Sequence, residues 1–190
     1  GAIHYLTSEE IEKDKEYLFS ISSKLRDKNI ISLIIGGPTQ YYDYSDRNIQ
    51  EIFSKVNYLV KENNLNLVVI PSMRTPKGTI EHAKIYFGND HLVLDGVDKK
   101  AYLSALSQSK HLVITCDSSS MISEAALTGK PIYIATIPPK KSDKRFKNFR
   151  KLFQEMKIVR ELGEKLENWN YEKLDETNRV ANIIKDKIQL

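Results

Sequence analysis

A chain of 190 residues has room for one large domain with a substantial core, and its 41% apolar and 28% charged residues are the balance of a folding chain, not a disordered one. No apolar run approaches the roughly 20 residues a membrane-spanning helix needs, and nothing has the layout of a secretory signal. Cys116 is the only cysteine, which excludes an intrachain disulfide; with the net charge of +4, a soluble cytoplasmic protein is expected.

The first helix is expected over residues 8–28, with Thr7 or Ser8 as N-cap and Glu9 and Glu10 in the turn that suits the helix dipole. Residues 31–35 read as a buried strand that breaks at Gly36, Gly37 and Pro38. A helix over 46–62 places Ile49, Ile52, Phe53, Val56, Leu59 and Val60 on one stripe. Strand 67–70 runs into a stiff polar loop between Pro71 and Pro76, then a helix over 79–87. Strand 92–94 follows, with Asp98 capping a helix to about 107 and strand 112–115 ending at Asp117. A helix over 119–128 closes at Gly129, and Pro131 leads into strand 132–135. Helices over 143–156 and 175–188 complete the chain. Alternating strands and helices define an α/β class: a Rossmann-like parallel sheet of five or six strands with helices on both faces.

In such a sheet ligands bind beyond the carboxyl ends of the strands, so three loops become candidates. In the first, Gly36 and Gly37 let backbone approach a diphosphate and Thr39 offers a hydroxyl, although a strand-to-helix turn needs glycine for steric reasons alone. The second carries Arg74 and Thr75 between two prolines, where a guanidinium can clamp phosphate oxygens or pair with a nearby carboxylate. The third is Asp117-Ser118-Ser119-Ser120, followed by Glu124. Consecutive hydroxyls at a helix N-terminus make an anion site, and Glu124 stands one turn inward of Ser120, where a carboxylate can accept from ribose hydroxyls. A capping box would explain the same residues without a ligand.

Other features carry less. His82, His91 and His111 lack zinc-ligand spacing and Cys116 has no CxxC partner, so neither metal nor cofactor is expected. Ser119 is outside any GxSxG setting, and the glycine pair lacks both the GxGxxG spacing and a P-loop lysine. Tyr41 is a candidate lid. Lys140, Lys141, Lys144, Arg145, Lys147, Arg150 and Lys151 concentrate positive charge, which is either a solvated helix face or a contact for an anionic membrane surface. No aromatic RNA-binding motif accompanies them, and no nucleic-acid partner is expected.

The blocks Ile34-Ile35-Gly36-Gly37-Pro38, Ser72-Met73-Arg74-Thr75-Pro76, 117–125 and Thr128-Gly129-Lys130-Pro131 resemble the C-terminal part of the elongated-mitochondria family, the mitochondrial fission (ELM) proteins of plants and their bacterial relatives. The resemblance implies a GT-B-like C-terminal domain binding a nucleotide-diphosphate sugar, with Gly36, Gly37 and Thr39 lining the diphosphate and Glu124 taking the ribose. Family chains carry an N-terminal domain before the position of Gly1, so residues 1–190 are expected to be one nucleotide-binding domain of a longer two-domain protein. Such a domain binds without turnover; glycosyl transfer would need the other half, and no catalytic base stands out here. The rival expectation, also from the resemblance, is a non-catalytic adaptor on a degenerate glycosyltransferase scaffold, recruiting partners to a membrane through 140–151.

Overall fold

The central strands are built mostly from branched apolar residues. The computed structural model describes residues 1–188. Strands β1 (Ile30–Ile35), β2 (Asn66–Pro71), β3 (Leu92–Val93), β4 (Ser109–Thr115), β5 (Ile132–Ala135) and β6 (Val159–Glu161) form one parallel sheet in the order β3-β2-β1-β4-β5-β6. All six residues of β1 are buried, as expected of a central strand covered on both faces. The chain moves outward from β1 to β3, crosses back to β4, and moves outward again to β6. Right-handed crossovers therefore lay the helices between β1 and β3 on one face and those after β3 on the other.

The helices follow the periodicity closely. In α3 (Asp46–Glu62) the buried residues are Ile49, Ile52, Phe53, Val56, Leu59 and Val60, the expected stripe; each fully buried side chain of this kind contributes about 1.5–3 kcal/mol. Helix α4 (Lys77–Phe87) starts after Pro76, and α5 (Lys99–Gln108) is capped by Asp98, whose carboxylate accepts from the Ala101 amide at 3.0 Å. Helix α6 (Ser119–Ala126) is capped by Ser118, and Gly129, at φ 72°, turns the chain toward β5. Helices α7 (Lys144–Glu155) and α8 (Glu176–Ile188) end the chain.

Two elements depart from the sequence reading. The long first helix is instead α1 (Ser8–Lys13), α2 (Tyr17–Ile21) and a 3-10 turn at Ser23–Leu25. Thr7 caps α1 in a reciprocal box with Glu10, but the run Glu12-Lys13-Asp14-Lys15-Glu16 gives the next turn no apolar anchor. Ser104 of α5 enters that break: its hydroxyl donates to the Lys15 carbonyl at 2.5 Å and accepts from the Leu18 amide at 3.1 Å. Strand β6 is the sixth strand that the pattern allowed but did not locate. Of its three residues only Val159 is buried, too short a signal to separate from a loop.

Candidate functional site

The chain leaves β1 and β4, adjacent at the sheet centre, in opposite directions, and the crevice at this switch point is where open α/β sheets bind ligands. Its organiser is Asp117, whose side chain is fully buried. Oδ1 accepts from the Tyr44 hydroxyl at 2.5 Å and the Thr115 hydroxyl at 2.8 Å. Oδ2 accepts from the Gly37 amide at 3.2 Å and from Arg74 at 2.7 Å. Arg74 also donates to the Gly37 carbonyl at 2.9 Å, and the Thr75 hydroxyl serves the carbonyls of Ile35 and Gly36. Burial and the neighbouring Asp117 charge hold the Tyr44 phenol far above its ordinary range, so it remains a donor.

This network redefines several expected roles. A Cβ on Gly36 would lie 2.2 Å from the Asp117 carboxylate, and one on Gly37 would lie 2.0 Å from the Arg74 carbonyl oxygen. The Gly36 amide donates to Thr115 at 2.8 Å, and that of Gly37 to Asp117. The two glycines are therefore required by close packing inside the protein, and their amides face inward, not toward a diphosphate. Arg74 takes the ion-pair alternative with one edge of its guanidinium, while its side chain stays 43% exposed. Thr39 accepts from the amides of Tyr41 and Tyr42, closing its own turn. Tyr41, the candidate lid, packs edge-on against Phe146 of α7 and under the Lys141 ammonium.

Helix α6 starts two residues beyond Asp117, on the same rim as Gly37 and Arg74. Ser118 acts as the cap, accepting from the Met121 amide at 3.4 Å. That leaves the amides and hydroxyls of Ser119 and Ser120, at the positive end of the helix dipole, without a protein partner among the described residues. Glu124 lies on the same face as Ser120, and its Oε2 accepts from the Tyr102 hydroxyl at 2.6 Å. Burial and the Glu124 charge push the Tyr102 phenol well above its ordinary value, which fixes it as the donor to a half-buried Glu124.

Two clefts meet at this pair. The smaller, about 230 Å³, is lined by Pro71, Met73, Val97, Met121, Tyr102 and Glu124. The larger, about 440 Å³, lies between α5, α6 and the segment 3–6, and shares Lys99, Tyr102 and Glu124 with the first. Tyr102, Tyr44 and Thr115 had no recognisable signal in the sequence: Tyr44 and Tyr102 meet Asp117 and Glu124 only through the fold, and Thr115, though two residues from Asp117, is joined to the β1 loop only by the Gly36 amide.

In the basic stretch, Arg150 is buried: it pairs with Asp143 at 3.1 Å and donates to the Tyr42 hydroxyl and the Cys116 carbonyl. It therefore leaves the expected charged surface, while Lys140, Lys141, Lys144, Arg145, Lys147 and Lys151 remain exposed. Burial pushes the Cys116 thiol up to about 11, the inert state of a core cysteine. No described helix is long and apolar enough to cross a membrane.

A family model described as Mitochondrial fission ELM1 matches residues 1–188. The chain belongs to that family. It is 30% identical over 171 residues to an uncharacterised protein of Rickettsia prowazekii, covering 86% of this chain and 48% of that protein. It is also 30% identical over 111 residues to Mitochondrial fission protein ELM1 of Arabidopsis thaliana, covering 57% of this chain and 24% of that one. The chain thus spans about half or less of the length of these family relatives. Among solved structures, it resembles a UDP-GlcNAc 2-epimerase from Neisseria meningitidis bound to UDP-GlcNAc, with TM-score 0.51 and 13% identity over 92% of this chain and 41% of that one. The S. aureus MnaA-UDP co-structure gives TM-score 0.53 and 18% identity over 90% of this chain and 49% of that one. At these identities the likeness establishes the shared GT-B-type fold.

Proposed function

We propose that this member of the ELM family binds a nucleotide-diphosphate sugar at the rim formed by α6 and the β1 and β2 loops, as half of a GT-B-type glycosyltransferase-like protein. The observation that carries the reading is the start of α6: Ser119 and Ser120 at a helix N-terminus, without a partner among the described residues, and a hydrogen-bonded carboxylate, Glu124, one turn away beside open space. A diphosphate matches the amides, hydroxyls and dipole; a ribose diol matches Glu124; a planar base matches the apolar cleft between Met73, Val97 and Met121. The outer edge of Arg74 adds charge toward the phosphates, while Asp117, Thr75 and the glycines hold the loops in register. Two solved structures of the same fold, the Neisseria epimerase with UDP-GlcNAc and MnaA with UDP, support this ligand class.

The helix terminus and the outer edge of Arg74 would stabilise negative charge on a leaving diphosphate, and in a GT-B-type protein the acceptor and the base would come from the other half. Thermal shift against a panel of nucleoside diphosphates tests it. A ligand present at 100 times its Kd stabilises by about 2.7 kcal/mol, a rise of several degrees, and Glu124→Ala abolishes the rise. A flat panel defeats this reading. Vesicle binding lost on neutralising Lys144, Arg145 and Lys147 would then favour the adaptor reading, which the exposed lysines support.

A further inference from the structure

Helix α8 is anchored at its first turn. The Asp175 carboxylate caps it, accepting from the Asn178 amide at 3.0 Å, and the Thr177 hydroxyl accepts from the His4 amide at 3.1 Å and donates to the His4 carbonyl at 2.6 Å. Glu176 is the buried residue of the helix. Beyond that turn the apolar residues keep helical spacing: Val180, Ile183, Ile184 and Ile188 fall on one stripe, continuing the face on which Glu176 and Thr177 meet the domain. The stripe stays uncovered among the described residues, with Ile183 41%, Ile184 51% and Ile188 56% exposed.

A helix of 13 residues is near the length at which an isolated helix is marginal in water, and helices of this kind gain most of their stability by packing an amphipathic face. Here the face is present and its cover is not. The apolar surface also extends past α8. Ile3 and Tyr5, on either side of the anchored His4, are both exposed and lead from the helix to the 440 Å³ cleft that they help to line. A contiguous exposed apolar surface of this sort marks a contact with another protein surface.

We propose that this surface is the docking site for the other half of a longer two-domain chain, formed by residues preceding residue 1. The proposal rests on the two-half reading above and not on the ligand assigned to α6. The Rickettsia relative is matched over only 48% of its length, which leaves about as much chain again to supply the cover. Residues 2–4 run between α6 and the first turn of α8, with the Ala2 amide donating to the Ser123 hydroxyl at 2.8 Å, so a preceding chain enters beside the stripe. A half joined there docks at high effective concentration and needs little contact area. A second copy has no such tether, and four residues a side fall far short of the roughly 20–30 that a standard interface uses. The polar face of α8 is mixed in sign, with Arg179 paired to Glu176 and Asp186 beside Lys185 and Lys187, whereas a membrane-surface helix is rich in cations there.

The test compares the chain 1–190 with the same chain extended by its natural preceding residues, by hydrogen exchange over 180–188. Exchange there should slow about tenfold or more in the extended protein. The double variant Ile183→Gln, Ile184→Gln keeps good helix formers and removes the apolar contact. It should abolish the added protection and expose the junction between halves to limited proteolysis, while leaving the melting temperature of 1–190 unchanged. Equal exchange with and without the preceding residues overturns the docking site, and this arm decides alone if the variant does not fold. So does a cover of another kind: a dimer of 1–190 in light scattering that the variant dissolves, or binding to phosphatidylcholine–phosphatidylserine vesicles that the variant loses. A natural chain that begins at residue 1 would end the two-half reading and this proposal together, whereas a flat nucleotide panel would end only the α6 reading.

Discussion

Replacing Asp117 by asparagine keeps the volume of a fully buried side chain and removes its charge. One carboxylate oxygen accepts from Tyr44 and Thr115, the other from Gly37 and Arg74; an NH2 turned toward the second pair faces groups that only donate, and turned toward the first it requires both hydroxyls to give up their bonds to the carboxylate. Each unanswered buried group costs about 1–3 kcal/mol, and breaking a buried ion pair from one side costs about 3–5 kcal/mol. Arg74 is partly exposed and can rehydrate, which reduces its share and places the expected loss at about 3–4 kcal/mol. For a domain of this size one kcal/mol corresponds to about 2–4 °C, so the melting temperature of Asp117→Asn should fall by about 10 °C in calorimetry. Arg74→Met should lose far less, because it removes the solvent-facing partner and leaves Tyr44, Thr115 and Gly37 in place. A fall below about 2 °C for Asp117→Asn would show that the carboxylate is not the organiser of the rim.

Gly37→Ala brings a methyl against the Arg74 carbonyl and should destabilise by about 1–3 kcal/mol in urea titration; Gly78→Ala in the first turn of α4, where a Cβ meets nothing within 4 Å, should be neutral or stabilising. Ser104→Ala strands the Leu18 amide and the Lys15 carbonyl, for a loss of about 1–3 kcal/mol and faster hydrogen exchange confined to 14–21. Burial lowers the Lys130 ammonium to about 8 from 10.5. Between those values the unfolded chain holds the proton that the folded chain has lost, so this group's contribution rises with pH across that window. Lys130→Met should remove that rise, read as the difference between the two melting curves from pH 8 to 10; parallel curves contradict it.

The sheet was legible because its strands are runs of branched apolar residues punctuated by glycine and proline, and α3 because six apolar residues fall on one stripe. The break between α1 and α2 was not, since it depends on Ser104, which is almost ninety residues away along the chain. At the site, the sequence brought the three loops to one rim by topology alone. It could not separate the ligand-facing residues from those that hold the loops together. Gly36, Gly37, Thr75 and Asp117 have the residue types of a phosphate site, yet their polar atoms answer one another. Ser119, Ser120 and Glu124 retain free capacity. Likewise Arg150 belonged to a basic run by spacing and to the core by its contact with Asp143.

The most direct test is a crystal structure of the chain with UDP. The account predicts the diphosphate at the first turn of α6, within hydrogen-bond distance of Ser119 and Ser120, and the ribose hydroxyls on Glu124. A ligand seated instead against the exposed lysines of 140–151, with the α6 terminus holding only solvent at saturating UDP, would contradict it.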